Sequence, residues 1–310
     1  MFTASDVPAL GGKLFVITGG NSGIGFEAAR VLVQKGGRVV LACRDQKKMA
    51  EASAQLRAEA SGADVEEVVV DLSSLASIER AAAEIGRRHD HVDVLINNAG
   101  VMALPERSTA DGFEMQFGTN HLGHFAFTGR LLPLVSKAPN GRVVTVSSLL
   151  HRRGRIDFAA IPKPARYDQD KQYAMSKLAN LLFTYELHRK LRAASSRAIA
   201  TACHPGYSAT NLQTAGPQMK GSAALGTVMK VMNAVVAQPA AVGALGTLFA
   251  ATGNVEGAEY LGPTGFMELR GAPVRGRSSR ASYDEAVAHR LWDVSEKLTG
   301  VTFDLAVGAS

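Results

Sequence analysis

Tyr173 and Lys177 stand four residues apart in the run Tyr173-Ala174-Met175-Ser176-Lys177. On a helix, that spacing places the phenol and the ammonium on one face. A free phenol gives up its proton only near pH 10, too high for a base at neutral pH, and a nearby cation favours the phenolate. The pair therefore reads as a proton-transfer unit, an acid in one direction and a base in the other. Alone, the spacing is also that of an ordinary solvated helix face. It gains force from Ser147-Ser148, two hydroxyls at the end of the apolar run Arg142 to Ser147. Strand ends of this kind form the edge where an open α/β sheet binds its ligand.

A second constellation lies at the front of the chain, in Thr18-Gly19-Gly20-Asn21-Ser22-Gly23-Ile24-Gly25. Glycines suit a turn that approaches a pyrophosphate closely and packs helix against strand. The helix that follows offers free N–H groups and a positive dipole end. Glycine triplets alone are weak evidence, but here a strand-like run, Leu14 to Thr18, precedes the turn and an amphipathic segment, Phe26 to Lys35, follows it. Gly19, Asn21, Ser22, Gly23, Ile24 and Gly25 are thus expected to hold a dinucleotide. At the end of the second run, where an acidic residue would hydrogen-bond an NAD ribose, stands Cys43. Arg44 follows and can grip a 2′-phosphate, so NADP(H) is expected and NAD(H) is the lesser fit. Asp45 is expected to cap the next helix. Asp71, with Leu72 beside it, closes the third run where it can accept from an adenine amino group. Asn97, Asn98, Ala99 and Gly100 close the fourth, where small and amide residues can line the cleft.

The elements that must position these residues alternate along the chain. Strand-like runs cover Leu14 to Thr18, Arg38 to Cys43, Glu67 to Asp71, Val92 to Asn97, Arg142 to Ser147 and Ala198 to Cys203. Amphipathic segments such as Glu51 to Ala60 and Ser77 to Arg87 lie between them. Unbroken apolar strands alternating with helices predict an α/β fold, a single doubly wound Rossmann-type parallel sheet with helices on both faces, spanning residues 1–310. Gly154 to Asp170 looks like an inserted surface loop. Residues 207–239 carry Met219, Met229 and Met232 and read either as an apolar flap over a substrate pocket or as core packing. A C-terminal helix is expected at 284–298.

Composition bounds the rest. The 310 residues are 46% hydrophobic and 20% charged, with a net charge of +6 and a pI of about 9.4. That is ordinary globular composition, and the basic residues are scattered apart from His151-Arg152-Arg153 with Arg155, which reads as a solvated loop face. No nucleic-acid binding is expected. Cys43 and Cys203 read as buried thiols in a reducing compartment. No run approaches the ~20 apolar residues of a membrane span, and Met1 to Leu10 lacks the features of a secretory signal, so a cytoplasmic location is expected.

With these motifs in this order, and with His204-Pro205-Gly206 after the sixth run, the chain resembles a short-chain dehydrogenase/reductase over essentially its whole length. The resemblance implies a catalytic set of Asn120, Ser148, Tyr173 and Lys177, with Ser147 as the alternative serine. It implies hydride transfer from NADPH to a carbonyl carbon, Ser148 bonding the oxygen and Tyr173 protonating it. Lys177 would lower the tyrosine pKa and hold the nicotinamide ribose, and Asn120 would hold a water leading from Lys177 to solvent. Pro205, Gly206 and Thr210 would shape the nicotinamide end. Ala42-Cys43-Arg44, Thr119 to Phe125, Ser176 to Asn180 and Arg290 to Ser295 make it similar to the branch of retinol dehydrogenases and protochlorophyllide reductases. That branch implies a hydrophobic small-molecule substrate, carbonyl–alcohol interconversion, and, as alternatives, carbon–carbon double-bond reduction or a non-catalytic NADP(H)-binding role. The start of the chain lacks the retinol enzymes' anchor, so soluble bacterial relatives acting on ketones or aldehydes are the nearer comparison. Relatives pair the helices of the fifth and sixth crossovers, which gives a homodimer or tetramer as the expected assembly unless Gly154 to Asp170 covers that surface. His121 and His124 sit three apart, but no third ligand accompanies them and no metal is expected. Trp292 reads as a packing anchor, and His151 as a loop residue.

Overall fold

The computed structural model describes residues 1–207 and 238–305. Among these, eight strands form one sheet: β1 (Leu14–Thr18), β2 (Arg38–Cys43), β3 (Val65–Val69), β4 (Val94–Asn97), β5 (Arg142–Val146), β6 (Ile199–Cys203), β7 (Tyr260–Pro263) and β8 (Pro273–Gly276). Their order is β3-β2-β1-β4-β5-β6-β7-β8, parallel throughout except for β8, which runs antiparallel to β7. This is the expected doubly wound sheet. The order reverses beside β1, and the crevice beyond the carboxyl ends of β1 and β4 is where such a sheet receives a ligand.

The helices are α1 (Gly23–Gln34), α2 (Gln46–Glu59), α3 (Leu75–Arg88), α4 (Met115–Phe117), α5 (Gly123–Lys137), α6 (Gln169–Ala193), α7 (Ala240–Thr252) and α8 (Glu285–Thr299). A π-helical turn, Gly118–Leu122, joins α4 to α5. One face of the sheet buries Phe15 and Ile17 against Ala28, Ala29 and Leu32 of α1, Leu56 of α2 and Leu248 of α7. The other buries Val16 and Leu95 against Ile78 of α3, Leu131 of α5 and Leu187 of α6. Because both faces are covered, every residue of β1 is buried, which is why it reads as an unbroken apolar run.

Local signals fix the boundaries. Asp45 caps α2 by accepting from the Lys48 amide, as expected, so the helix begins five residues before the amphipathic stretch seen in the sequence. β3 lies two residues earlier than expected: it is an edge strand, paired only with β2 from Val65 to Val69, and its solvent side lets polar and apolar residues mix. β7 and β8 were not legible, being four residues each. The segment 154–170 carries one short 3-10 turn, Phe158–Ala160, and joins α6 at Gln169. The C-terminal helix lies where expected. Trp292 stacks on Phe183 of α6 at 5.8 Å and meets Phe125 of α5 edge-on at 5.1 Å, while Phe303 packs on all three rings. This aromatic cluster fastens α8 across α5 and α6.

Candidate active site

The turn after β1 is shaped by close contacts. Gly19 adopts a left-handed φ of 66°, and a Cβ there would sit 3.0 Å from the Ala99 side chain. A Cβ on Gly25 would come within 2.5 Å of both Asn98 Nδ2 and the Gly19 carbonyl, so only glycine lets α1 approach β4 this closely. Asn98 completes the wall: its amide donates to the carbonyls of Thr18 and Gly19, at 2.9 and 3.4 Å. Ser22 is the N-cap of α1, yet its side chain makes no capping bond, which leaves the first amides of the helix facing the cleft.

From the turn, a cleft of about 670 Å³ extends past Cys43, Arg44, Asp71 and Leu72. Cys43 is buried and its thiol is pushed up to about 11 by that burial, so it stays neutral. Arg44 and Lys48 project from the rim, each ion-paired at the edge of range, Arg44 with Asp71 at 4.0 Å and Lys48 with Asp45 at 3.7 Å. Asp71 Oδ1 is occupied by the Ser73 amide and hydroxyl. Lys48 is absent from the sequence reading. Its signal was its place in the first turn of α2, one turn after Arg44 on the same side of the cleft. The cradle, the open helix amides and the two cations fit a phosphorylated dinucleotide.

A second cleft of about 580 Å³ shares Gly19 and Ala99 with the first and leads to Ser148, Tyr173 and Lys177. Ser147 and Ser148, adjacent in sequence, part company here. The Ser147 hydroxyl is buried and donates to the Lys177 carbonyl at 2.8 Å, whereas Ser148 lines the cleft beside Tyr173, its hydroxyl accepting from the Leu150 amide at 3.3 Å. Lys177 Nζ donates to the Val146 carbonyl at 3.1 Å and lies 5.8 Å from the Tyr173 ring centre. Asn120 sits at the π-helical turn, its side chain clamped on Val101 N and O and on the Ser176 hydroxyl, which in turn donates to the Tyr173 carbonyl. A Cβ on Gly100 would fall 3.3 Å from Asn120 Oδ1 and 3.5 Å from Lys177 Nζ, so these groups meet around one glycine.

The electrostatics differ from the simple pairing read in the sequence. Burial pushes Tyr173 up to about 12, with the neighbouring Ser148 hydroxyl opposing it, and brings Lys177 down to about 8. Both groups are enclosed, and removal from water disfavours the phenolate and the ammonium alike. The phenol is therefore held protonated at neutral pH.

The far wall of the second cleft is apolar: Met102, Leu104, Leu149, Leu150 and Leu269. None was foreseen, because they come from short 3-10 turns and loops between the main elements. Pro205, Gly206 and Tyr207 line the same end. Thr210 and the expected flap over 207–239 lie outside the described residues, apart from Tyr207, Gln238 and Pro239. His151 is not a solvated loop residue: it is fully buried, its Nδ1 bonded to the Ser148 carbonyl at 2.7 Å and its Nε2 to the Ser279 amide at 3.0 Å. Among the described residues no cluster of three metal-ligating side chains occurs.

Comparison with known proteins places this geometry. The family model for short chain dehydrogenases matches residues 13–221. Human Retinol dehydrogenase 13 is 38% identical over 94% of this chain and 85% of its own length. Mouse Retinol dehydrogenase 14 is 37% identical over 96% and 88%. A crystal structure of a Mycobacterium Paratuberculosis protein covers 98% of this chain and 99% of that one at 41% identity and a TM-score of 0.81. The Pseudomonas aeruginosa RhlG/NADP active-site complex aligns at 25% identity and a TM-score of 0.62 over 81% of this chain and 94% of that one. The chain belongs to the short-chain dehydrogenase family, as an oxidoreductase of the retinol dehydrogenase-like kind.

Proposed function

We propose that the protein reduces the carbonyl of a hydrophobic small molecule with NADPH, using Tyr173 as proton donor. The observation that carries this reading is the convergence of Ser148, Tyr173 and Lys177 on the apolar end of a cleft continuous with the glycine turn, with the phenol protonated. NADPH, when bound, supplies the hydride. Ser148 donates to the substrate oxygen and fixes its position. Tyr173 passes its proton to that oxygen as negative charge grows there, and a protonated phenol is the form this step needs. Lys177, within reach of both charge states near neutral pH, steadies the phenolate left behind and holds the nicotinamide ribose. Asn120 anchors the turn that faces Lys177. Run backwards, the same groups oxidise an alcohol.

Arg44 and Lys48 would bind the 2′-phosphate, with Cys43 unable to serve an unphosphorylated ribose as an acidic residue does, so the cofactor is NADP(H). The crystallised RhlG/NADP complex supports this choice. The two buried, unpaired thiols suit a reducing compartment, and we place the protein in the cytoplasm. No helix among the described residues is long and apolar enough to cross a membrane. As for self-assembly, α8 with Phe303 covers α5 and α6, so a homodimer or tetramer would need a face other than those helices.

The test is NADPH oxidation by the purified protein against a panel of apolar ketones, aldehydes and enones, with product identification. Alcohol products formed with NADPH and not with NADH support the reading. A saturated product with its carbonyl intact would replace it with double-bond reduction.

A further inference from the structure

His124 has no place in the mechanism above, yet it is fully enclosed and both of its ring nitrogens are engaged. Nδ1 lies 2.9 Å from the Asn120 backbone carbonyl, and Nε2 lies 2.9 Å from the Thr18 hydroxyl. A carbonyl only accepts, so Nδ1 carries the proton. Burial, with the Lys177 charge nearby, holds the ring neutral, its pKa down to about 4. Nε2 is then an acceptor, and the Thr18 hydroxyl must donate to it. Thr18 Oγ1 in turn accepts the amides of Asn98 and Ala99, at 2.9 and 3.0 Å.

These bonds close a circuit. Thr18 is the last residue of β1, immediately before Gly19, and Asn98 and Ala99 follow β4. Two residues on, Val101 is clamped through its amide and carbonyl by the Asn120 side chain. Asn120 returns to His124 through its own carbonyl. In the π-helical turn Gly118–Leu122 the Gly123 amide reaches back five residues to the Gly118 carbonyl, and just after it the His124 imidazole reaches back four residues to the Asn120 carbonyl. His121, three residues earlier, points elsewhere and bonds Ser295 of α8 at 3.0 Å. The two histidines thus serve different elements.

We propose that His124, as the Nδ1–H tautomer, is a positioning residue that couples the dinucleotide turn at Thr18 to the Asn120 turn facing Lys177. It touches neither substrate nor cofactor. Its two nitrogens hold the two halves of the site in register, Nε2 serving the cofactor turn and Nδ1 the proton-transfer side. The inference rests on the NADPH-dependent reaction proposed above.

The two halves can be separated, because an asparagine amide replaces Nδ1 and a glutamine amide replaces Nε2. His124→Asn keeps a donor for Asn120 and loses the bond to Thr18. His124→Gln keeps an acceptor for Thr18 and loses the bond to Asn120. NADPH affinity is measured by fluorescence titration, turnover at saturating NADPH with the best carbonyl substrate, and thermal stability by calorimetry. Loss of one buried hydrogen bond predicts an effect of about tenfold. His124→Asn should weaken NADPH binding by about that factor, with turnover at saturation falling least of the two variants. His124→Gln should bind NADPH nearly as wild type, with turnover down by about tenfold or more. Equal losses in both variants that track their melting temperatures would reduce His124 to a packing residue and overturn the proposal. Ring ¹⁵N NMR of the wild type gives an arm independent of turnover: a His124 ring protonated at Nε2, or charged at neutral pH, contradicts it. If the wild type binds NADPH but reduces no carbonyl, the reaction falls, while the affinity difference between the variants still decides the coupling.

Discussion

Replacing Lys177 by methionine should abolish turnover and make the protein more stable. The ammonium is buried and its pKa falls from the ordinary lysine value of 10.5 to about 8, with burial as the leading cause. At about 1.4 kcal/mol for each factor of ten, the folded state carries roughly 3 kcal/mol of strain in the charged lysine at pH 7. The bond from Nζ to the Val146 carbonyl, worth about 1 kcal/mol, is lost in the variant. Methionine fills the vacated volume with an apolar chain, so the net gain is about 2 kcal/mol, a few degrees in Tm for a chain of this size. The pH dependence identifies the cause. The folded pKa lies below the unfolded one, so the penalty is fully present below about 8 and fades as pH rises toward 10.5. Groups away from Lys177, such as Cys43 with its raised pKa, also titrate in alkali but cancel in the difference between wild type and variant. Denaturant unfolding of both proteins from pH 7 to 10 is the assay. The variant's advantage should shrink across that range. A Lys177→Met protein less stable than wild type at pH 7, or an advantage that does not change with pH, would refute the reasoning.

Three further outcomes follow from the site and core. His121, His124 and His151 are buried neutral, with pKa values near 3, 4 and 4. Their unfolded forms take up protons below about pH 6.5, so stability should fall as pH drops from 6.5 toward 4, by as much as about 3 kcal/mol for each ring; a denaturant midpoint flat from pH 6.5 to 5 would contradict this. Arg44→Ala should weaken NADPH binding by roughly ten- to a hundredfold and NADH binding hardly at all, as calorimetric titration of both cofactors would show. Trp292→Ala should lower stability by about 3 to 5 kcal/mol by opening the aromatic cluster under α8, measured by denaturant unfolding.

Much of the fold and site was legible because its signals are local. A strand buried on both faces is apolar throughout, as β1 is, and an acidic residue before a helix caps it, as Asp45 does. The glycine turn, Tyr173 and Lys177 are short-range patterns, and the structure gathers them around two joined clefts. What the sequence hid depends on distant partners. Ser147 and Ser148 are indistinguishable as neighbours, and only α6 separates them by taking the Ser147 hydroxyl. His124 carried no role in the sequence, where it stood three residues from His121 with no third ligand, and its partner Thr18 lies 106 residues away. The Tyr173 pKa follows burial, which no spacing reveals, and so it rises where the Lys177 spacing predicted a fall. Leu104, Leu149 and Leu269 form the apolar wall of the second cleft from separate segments of the chain, and β7 and β8 are too short to show a period.

The central claim is that Tyr173 supplies the proton in an NADPH-dependent carbonyl reduction. The direct measurement is steady-state turnover of Tyr173→Phe beside its affinity for NADPH, with the best carbonyl substrate from the panel. Phenylalanine keeps the ring and removes only the phenolic oxygen, which lies in the cleft that Ser148 also lines. The account predicts NADPH affinity close to wild type and turnover reduced by about a hundred- to ten-thousandfold. Turnover in Tyr173→Phe comparable with wild type would contradict it, and the proton would have to come from another group.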